Sequence, residues 1–237
     1  MSDITLLVPT YNPGKGWDTL FKDRYLEFCS AVGETVKVVL INDGSKNEIG
    51  EEVKNLQKGL GPEFTYLSYD VNQGKGAALK YGVMHTVSQK YIFTDIDFPY
   101  TTSSMLEVWK AAKKTTGIIT GYRQEAYYAD LSVFRTILSK SLRWLNQAML
   151  GLPVNDTQCG LKAFDSEVKT LLLQCETDRF LIDLELLLAV SHKKYTITPV
   201  QVALRDDIDF TSFNSSVLLK EVFNFFRLIW KYRVFPS

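Results

Sequence analysis

Val36-Lys37-Val38-Val39-Leu40-Ile41-Asn42-Asp43-Gly44-Ser45 opens as a β-branched, apolar run and closes on four small or polar residues. A run of this length that halts at Asn-Asp-Gly-Ser reads as a strand from Val36 to Ile41 followed by a turn. The same grammar recurs on either side. Upstream, Ile4 to Val8 leads into Pro9-Thr10-Tyr11-Asn12; downstream, Phe64 to Ser68, Tyr91 to Thr94 and Gly117 to Thr120 read as further strands. Between them Leu20 to Cys29, Glu48 to Lys58, Gly76 to Gln89 and Ser104 to Lys113 have helical spacing. This alternation predicts an α/β fold, a mostly parallel sheet flanked by helices on both faces. Such sheets bind ligands beyond the carboxyl ends of their strands, where this chain collects its polar residues.

After Tyr122 the pattern changes. A long helix is expected over Leu131 to Leu150, then the loop GLPVNDTQCG, a short apolar stretch, a helix near Phe180 to Val190 and a strand-like TITPVQVAL. There is no internal repeat and no linker rich in Pro, Gly or Ser, so the second half reads as an elaboration of one domain. Of 237 residues, 46% are apolar and 23% charged, and 27 basic side chains balance 27 acidic ones. No global field draws the chain to nucleic acid, and none is expected as a partner. Cys29, Cys159 and Cys175 have no zinc-type spacing and read as reduced structural thiols. MSDITLLVPTYN enters a strand without a charged-then-apolar leader, and no apolar run reaches the ~18 residues of a membrane span. A cytoplasmic protein is expected.

Each polar strand end has two readings. Asp43 and Ser45 suit a helix cap as well as a ligand. Asn72-Gln73-Gly74-Lys75-Gly76-Ala77-Ala78 places two glycines and a lysine at a helix start, where backbone N–H groups and the dipole suit a phosphate. Asp95-Ile96-Asp97 offers hard oxygen ligands for Mg²⁺ or Mn²⁺ shared with a diphosphate, or else caps the helix after Thr101, Thr102 and Ser103. On the long helix, Arg135, Ser139, Arg143 and Asn146 share one stripe beside apolar Phe134, Leu138, Leu142, Leu145 and Met149. That stripe is a solvated face or, with Arg123 at the preceding strand end, an anion site. Asp183 and Glu185 either brace an active-site arginine or answer the dipole of their helix. His85 and His192 lie too far apart in sequence to suggest a histidine metal site or a hydrolase triad.

Together, VPTYN, NDGS, NQGKGAALKYG and DID resemble, in order and approximate spacing, the inverting family 2 glycosyltransferases of the GT-A fold. The resemblance implies that Pro9, Tyr11, Asn12 and Asp43 hold the nucleotide, that Lys75 lies near it, and that Asp95 and Asp97 serve ribose or phosphate and metal. Asp97 is the leading metal ligand. Some members follow the acidic pair with a metal-binding Gln, where this chain has Phe98-Pro99. Arg123, Arg135, Ser139 and DTQCGLKAF (156–164) resemble the branch that glycosylates dolichyl or other polyprenyl phosphates, in which the counterparts of Arg123, Arg135 and Ser139 hold the acceptor phosphate. A GDP- or UDP-sugar donor and a polyprenyl-phosphate acceptor are the partners implied. Motifs of processive polysaccharide synthases are replaced by DTQCG and by Gln201-Val202-Ala203-Leu204-Arg205. Transfer to a saccharide or protein hydroxyl, and a catalytically silent nucleotide-binding protein, are the rival readings.

The expected organisation is a transferase domain over 1–210, with a nucleotide-sugar half over 1–121 and an acceptor half over 122–210, then a C-terminal amphipathic helix over 211–237. In that helix Leu218, Val222, Phe225, Phe226 and Ile229 recur at helical spacing, and Lys220, Arg227 and Lys231 share another face. A basic amphipathic helix of this kind suits contact with an anionic membrane surface, through Phe226, Trp230 and Tyr232, or packing on the domain itself.

Overall fold

The computed structural model describes residues 3–123, 152–154, 156–208, 224–225, 227–228 and 230–234. In chain order its elements are β1 (Ile4–Thr10), α1 (Trp17–Val32), β2 (Lys37–Asp43), α2 (Gly50–Leu60), β3 (Phe64–Tyr69), α3 (Lys75–Met84), β4 (Lys90–Phe93), α4 (Thr102–Lys114), β5 (Ile118–Arg123), β6 (Lys162–Asp165), α5 (Ser166–Gln174), α6 (Ile182–His192) and β7 (Ile197–Val202). A π-helical turn spans Trp230–Val234. The seven strands form one sheet in the order β3-β2-β1-β4-β6-β5-β7. Pairing is parallel except at β6, which runs antiparallel to both β4 and β5. Because β6 is reversed, its start at Lys162 and the end of β5 lie at the same edge of the sheet as the carboxyl ends of β1, β2 and β4.

The inner strands β1, β2, β4, β5 and β6 are buried on both sides, and their side chains alternate between two cores. Leu7, Val39, Ile41, Tyr91, Phe93 and Phe164 face α3, α5 and α6. Leu6, Val8, Val38, Leu40, Ile92 and Ala163 face α1, α2 and α4. On α1 the buried positions Trp17, Phe21, Tyr25 and Phe28 recur every three or four residues, as a helix packed on a sheet requires. Pro9 is tolerated inside a central strand because the β1–β4 ladder has its last pair at Leu7 and Phe93, two residues before the missing N–H would be needed.

Two expectations need correction. β6 falls on what the sequence offers only as a short apolar stretch, since four residues interrupted by Lys162 are too few to show a period. The helix expected to run to Gln89 ends at Met84. Beyond it the Ser88 hydroxyl donates to the carbonyls of Asp3 and Lys90, a turn that competes with further helix. The helix expected over 131–150, with Arg135, Ser139, Arg143 and Asn146, lies outside the described residues.

The C-terminal segment docks on the domain. Phe225 and Leu228 are buried in the core beneath α6. Arg227 donates to Glu176 at 2.7 Å, and Lys231 reaches Glu176 at 2.9 Å and Glu185 at 3.3 Å. Tyr232 packs against the same core, so of the three aromatics expected at lipid it points inward, while Trp230 is 61% exposed and Phe226 lies outside the described residues. No described helix is long and apolar enough to cross a membrane.

The start of α3 is wedged against the segment before α6. Gly74 has φ +110°, and a Cβ there would stand 2.5 Å from the Asp178 carbonyl oxygen. Gly74→Ala is therefore expected to destabilise the fold by about 2 kcal/mol or more, from backbone strain plus the clash. At roughly 2–4 °C per kcal/mol for a chain of this size, the melting temperature read by circular dichroism should fall by about 4 °C or more.

Candidate active site

The carboxyl ends of β1, β2 and β4 and the start of α3 converge on a set of polar groups, each fixed by short-range bonding. Asn12, with φ 46°, stitches the turn after β1 to the turn after β2. Its N–H donates to Ser45 Oγ at 2.9 Å, and its Oδ1 accepts from Lys46 N–H at 2.7 Å. Tyr11 beside it is 43% exposed at the mouth, whereas Pro9 is buried within β1.

Asp43 is buried and serves the protein's own backbone. Its carboxylate accepts from Tyr69 Oη (2.7 Å), Asn72 Nδ2 (2.7 Å), Gln73 N–H (2.7 Å) and Gly74 N–H (2.8 Å). Burial and the adjacent carboxylate push the Tyr69 phenol far above its ordinary range, so it remains a donor. The glycine turn expected to cradle phosphate thus gives two of its N–H groups to Asp43, and Ala77 N–H goes to the Asp178 carbonyl at 3.1 Å. The side chain left facing the mouth from this turn is Lys75.

Asp95 and Asp97 sit on a tight turn in which Phe98 N–H donates to the Asp95 carbonyl at 3.0 Å. Phe98 adopts φ 42°, costly for a residue with a Cβ. Its fully buried ring, edge-on to Phe21 at 5.5 Å, holds it there. The buried guanidinium of Arg24 grips the Asp97 carbonyl and pairs with Asp207 at 2.6 Å. Burial, and secondly the Asp95 charge, raise the Asp97 carboxyl above the usual range. The Asp95 side chain is 44% exposed and lies 3.2 Å from Lys75 Nζ. Among the described residues no three His, Cys, Asp or Glu side chains cluster as a metal site. Two carboxylates still fit Mg²⁺ or Mn²⁺, ions that commonly complete their shell with substrate phosphates and water.

Arg123, at the end of β5, is held bidentately by Asp156, Nε to Oδ2 at 2.7 Å and Nη2 to Oδ1 at 2.8 Å. Asp183 does brace cations, but they are lysines: it is 2.6 Å from Lys162 and 3.3 Å from Lys75. Glu185 instead accepts the backbone N–H groups of Glu176 and Thr177 at 3.0 and 2.7 Å. Asp156, Lys162 and Arg24 have no assigned role in the sequence reading. A lysine inside the apolar run Leu161 to Phe164 is the one signal that could have raised Lys162.

The sheet order and the acidic turn are those of the GT-A architecture. The chain belongs to glycosyl transferase family 2, whose family model matches residues 5–169. It is 28% identical over 242 residues to a dolichyl-phosphate beta-glucosyltransferase of Trichomonas vaginalis, covering 98% of this chain and 74% of that one. It is 26% identical over 204 residues to an undecaprenyl-phosphate 4-deoxy-4-formamido-L-arabinose transferase of Edwardsiella ictaluri, covering 86% of this chain and 61% of the relative. In fold it resembles glucosyl-3-phosphoglycerate synthase of Mycobacterium tuberculosis, with TM-score 0.67 at 14% identity over 99% of this chain and 81% of that one. It also resembles a mannosyltransferase of Pyrobaculum calidifontis solved with GDP-Man and Mn²⁺, with TM-score 0.56 at 16% identity over 86% and 58% of the two chains.

Asp43→Ala would strip four donors of their acceptor. It is expected to cost on the order of 3 kcal/mol or more, from buried groups left unpaired. The loss should appear in urea denaturation without any nucleotide; wild-type stability would show that Asp43 is not a structural clasp.

Proposed function

We propose that this transferase moves a sugar from a GDP- or UDP-sugar to a polyprenyl phosphate, with inversion at the anomeric carbon. One observation carries the reading most. A pair of carboxylates beside a buried lysine lies at the same sheet edge as Arg123, so a diphosphate site and a second anion site share one mouth. The polyprenyl-phosphate relatives supply the chemical class of the acceptor.

In this reading the nucleotide lies along the ends of β1 and β2, with its base against exposed Tyr11 and its ribose near Asn12 and the turn that Asp43 secures. Pro9 shapes the strand end from within the sheet. Lys75 faces the diphosphate. Asp97, with Asp95, would hold Mg²⁺ or Mn²⁺, and such an ion offsets charge on a departing nucleoside diphosphate. Arg123, aimed by Asp156, receives the acceptor phosphate together with Arg135 and Ser139 from the helix expected after β5. A phosphate monoester oxygen is already anionic near neutral pH, so it attacks the anomeric carbon without a strong general base. The C–O bond to the acceptor forms on the face opposite the breaking bond to the nucleoside diphosphate. The domain division at about 210, the cytoplasmic setting and a peripheral membrane contact through Trp230 and its neighbours belong to the same proposal.

In an assay with polyprenyl phosphate, nucleotide sugars and Mg²⁺ or Mn²⁺, wild type is expected to form glycolipid and to stop when chelator is added. Asp97→Ala should stay folded and lose about a hundredfold or more in kcat. Arg123→Ala and Arg135→Ala should raise the lipid KM about tenfold and leave donor KM nearly unchanged. Transfer to soluble glycans alone, or full turnover in chelator, contradicts the reading.

For the membrane contact, anionic vesicles should co-sediment the full chain more than they do Trp230→Ala, because an interfacial indole loses its apolar contact. Equal sedimentation of the two would remove Trp230 from that role.

A further inference from the structure

Lys162 is a lysine with no exposed surface at all, standing on β6 in the interior of the sheet. Its ammonium donates to Asp183 Oδ1 at 2.6 Å and to the carbonyls of Thr157 (3.2 Å) and Cys159. The other oxygen of Asp183, itself 3% exposed, is 3.3 Å from Lys75 Nζ, which in turn stands 3.2 Å from Asp95 Oδ1. Four charges therefore alternate in sign from the buried start of β6 to the half-exposed Asp95. Burying them opposes folding, since desolvation of such groups often exceeds their mutual attraction and apolar side chains of similar volume are commonly as stable. Stability is a poor reason for this row of charges. Position is a better one.

The row holds two things against a single carboxylate. From one end, Asp183 keeps Lys75 at Asp95. From the other, Lys162 grips the backbone of the loop over 156–160 at two carbonyls. That loop carries Asp156, which aims Arg123, and Gly160, where an added Cβ would stand 2.5 Å from Asp95 Oδ2. Tyr100, just past the acidic turn, fastens the same loop by accepting Gly160 N–H at 2.7 Å.

We propose that Lys162 and Asp183 are positioning residues that couple the donor side of the site to its acceptor side, fixing Lys75 and the 156–160 loop on Asp95 together. The assignment of sides rests on the transferase reading above. The mechanical coupling does not. A shift of the Lys162–Asp183 pair is felt at the acidic turn and at Arg123 at once, so one substitution in the sheet interior alters recognition of both substrates.

The test uses Lys162→Met, Asp183→Asn and the charge-retaining Asp183→Glu in the full chain. In hydrogen exchange of the ligand-free protein, Lys162→Met and Asp183→Asn are expected to speed the Arg123 and Gly160 amides about tenfold while β2 and β3 keep wild-type rates. In steady-state kinetics both variants raise donor KM and lipid KM together by about threefold or more, and Asp183→Glu recovers part of the loss. Should Asp183→Asn fail to fold, Lys162→Met and Asp183→Glu carry both readouts. Uniformly faster exchange, or wild-type KM values with a reduced active fraction, indicates a role in folding alone and overturns the proposal. Absence of any turnover by wild type counts against the transferase reading, while the exchange pattern still decides the coupling.

Discussion

The carboxylate of Asp43 is the fixed point of the sheet edge where β2, β3 and α3 meet. Placed at the last residue of β2, it draws in the Tyr69 hydroxyl at the end of β3 and the amides of Asn72, Gln73 and Gly74. Two stretches of chain, the end of β2 and the run from Tyr69 to Gly74, are thereby brought to one place. Each of these buried donors would be costly to leave unpaired. The consequence is directional: α3 starts where Asp43 permits, so Lys75 emerges at Asp95 rather than a turn earlier or later. The acidic turn is set independently by the Phe98 ring from below and by Arg24 from the side.

Electrostatically, the mouth joins opposing tendencies. Burial first, and then repulsion from Asp95, raise the Asp97 carboxyl, and the charge of Arg24 offsets that only in part. Lys75 is the converse case, since burial opposes its charge and Asp183 and Asp95 outweigh that opposition, keeping the ammonium above the ordinary lysine range. Burial likewise opposes ionisation of Asp183, but Lys162 and Lys75 outweigh it and hold the carboxyl low. The folded state therefore gains from the Asp183 charge at neutral pH and loses that gain as pH falls below the unfolded carboxyl value of about 4 towards the lower folded one. Acid should loosen this interior row of charges in the same range in which carboxylates generally titrate.

Most of the sheet could be read from the residues, because β1 to β5 carry β-branched, aliphatic or aromatic runs that lead into polar or glycine-bearing turns. β6 could not, for its partners on β4 lie some seventy residues upstream and its first residue, Lys162, imitates a surface position. The ends of β1, β2 and β4 were legible as polar turns, but the distribution of labour among their polar groups was not. Whether Asp43 faces a ligand or its own backbone depends on where the 71–74 turn closes, and only tertiary structure decides that. Asp183 shows the same limit: its spacing on α6 suggests a dipole effect, while its partners come from α3 and β6. The basic face of the C-terminal segment is likewise satisfied in part by Glu176 and Glu185, acidic neighbours that no local pattern reveals.

The reversal of β6 has a bearing on how such a protein diversifies. A strand inserted antiparallel between β4 and β5 returns the chain to the edge it left, so the whole stretch between Arg123 and Lys162 is anchored at both feet beside the mouth. Its length and composition can change without moving a strand, and the entropic cost of closing a longer excursion grows only with the logarithm of its length. The sheet thus works as a chassis that tolerates exchange of the stretch between β5 and β6, while the turns after β1, β2 and β4 stay where their parallel strands put them.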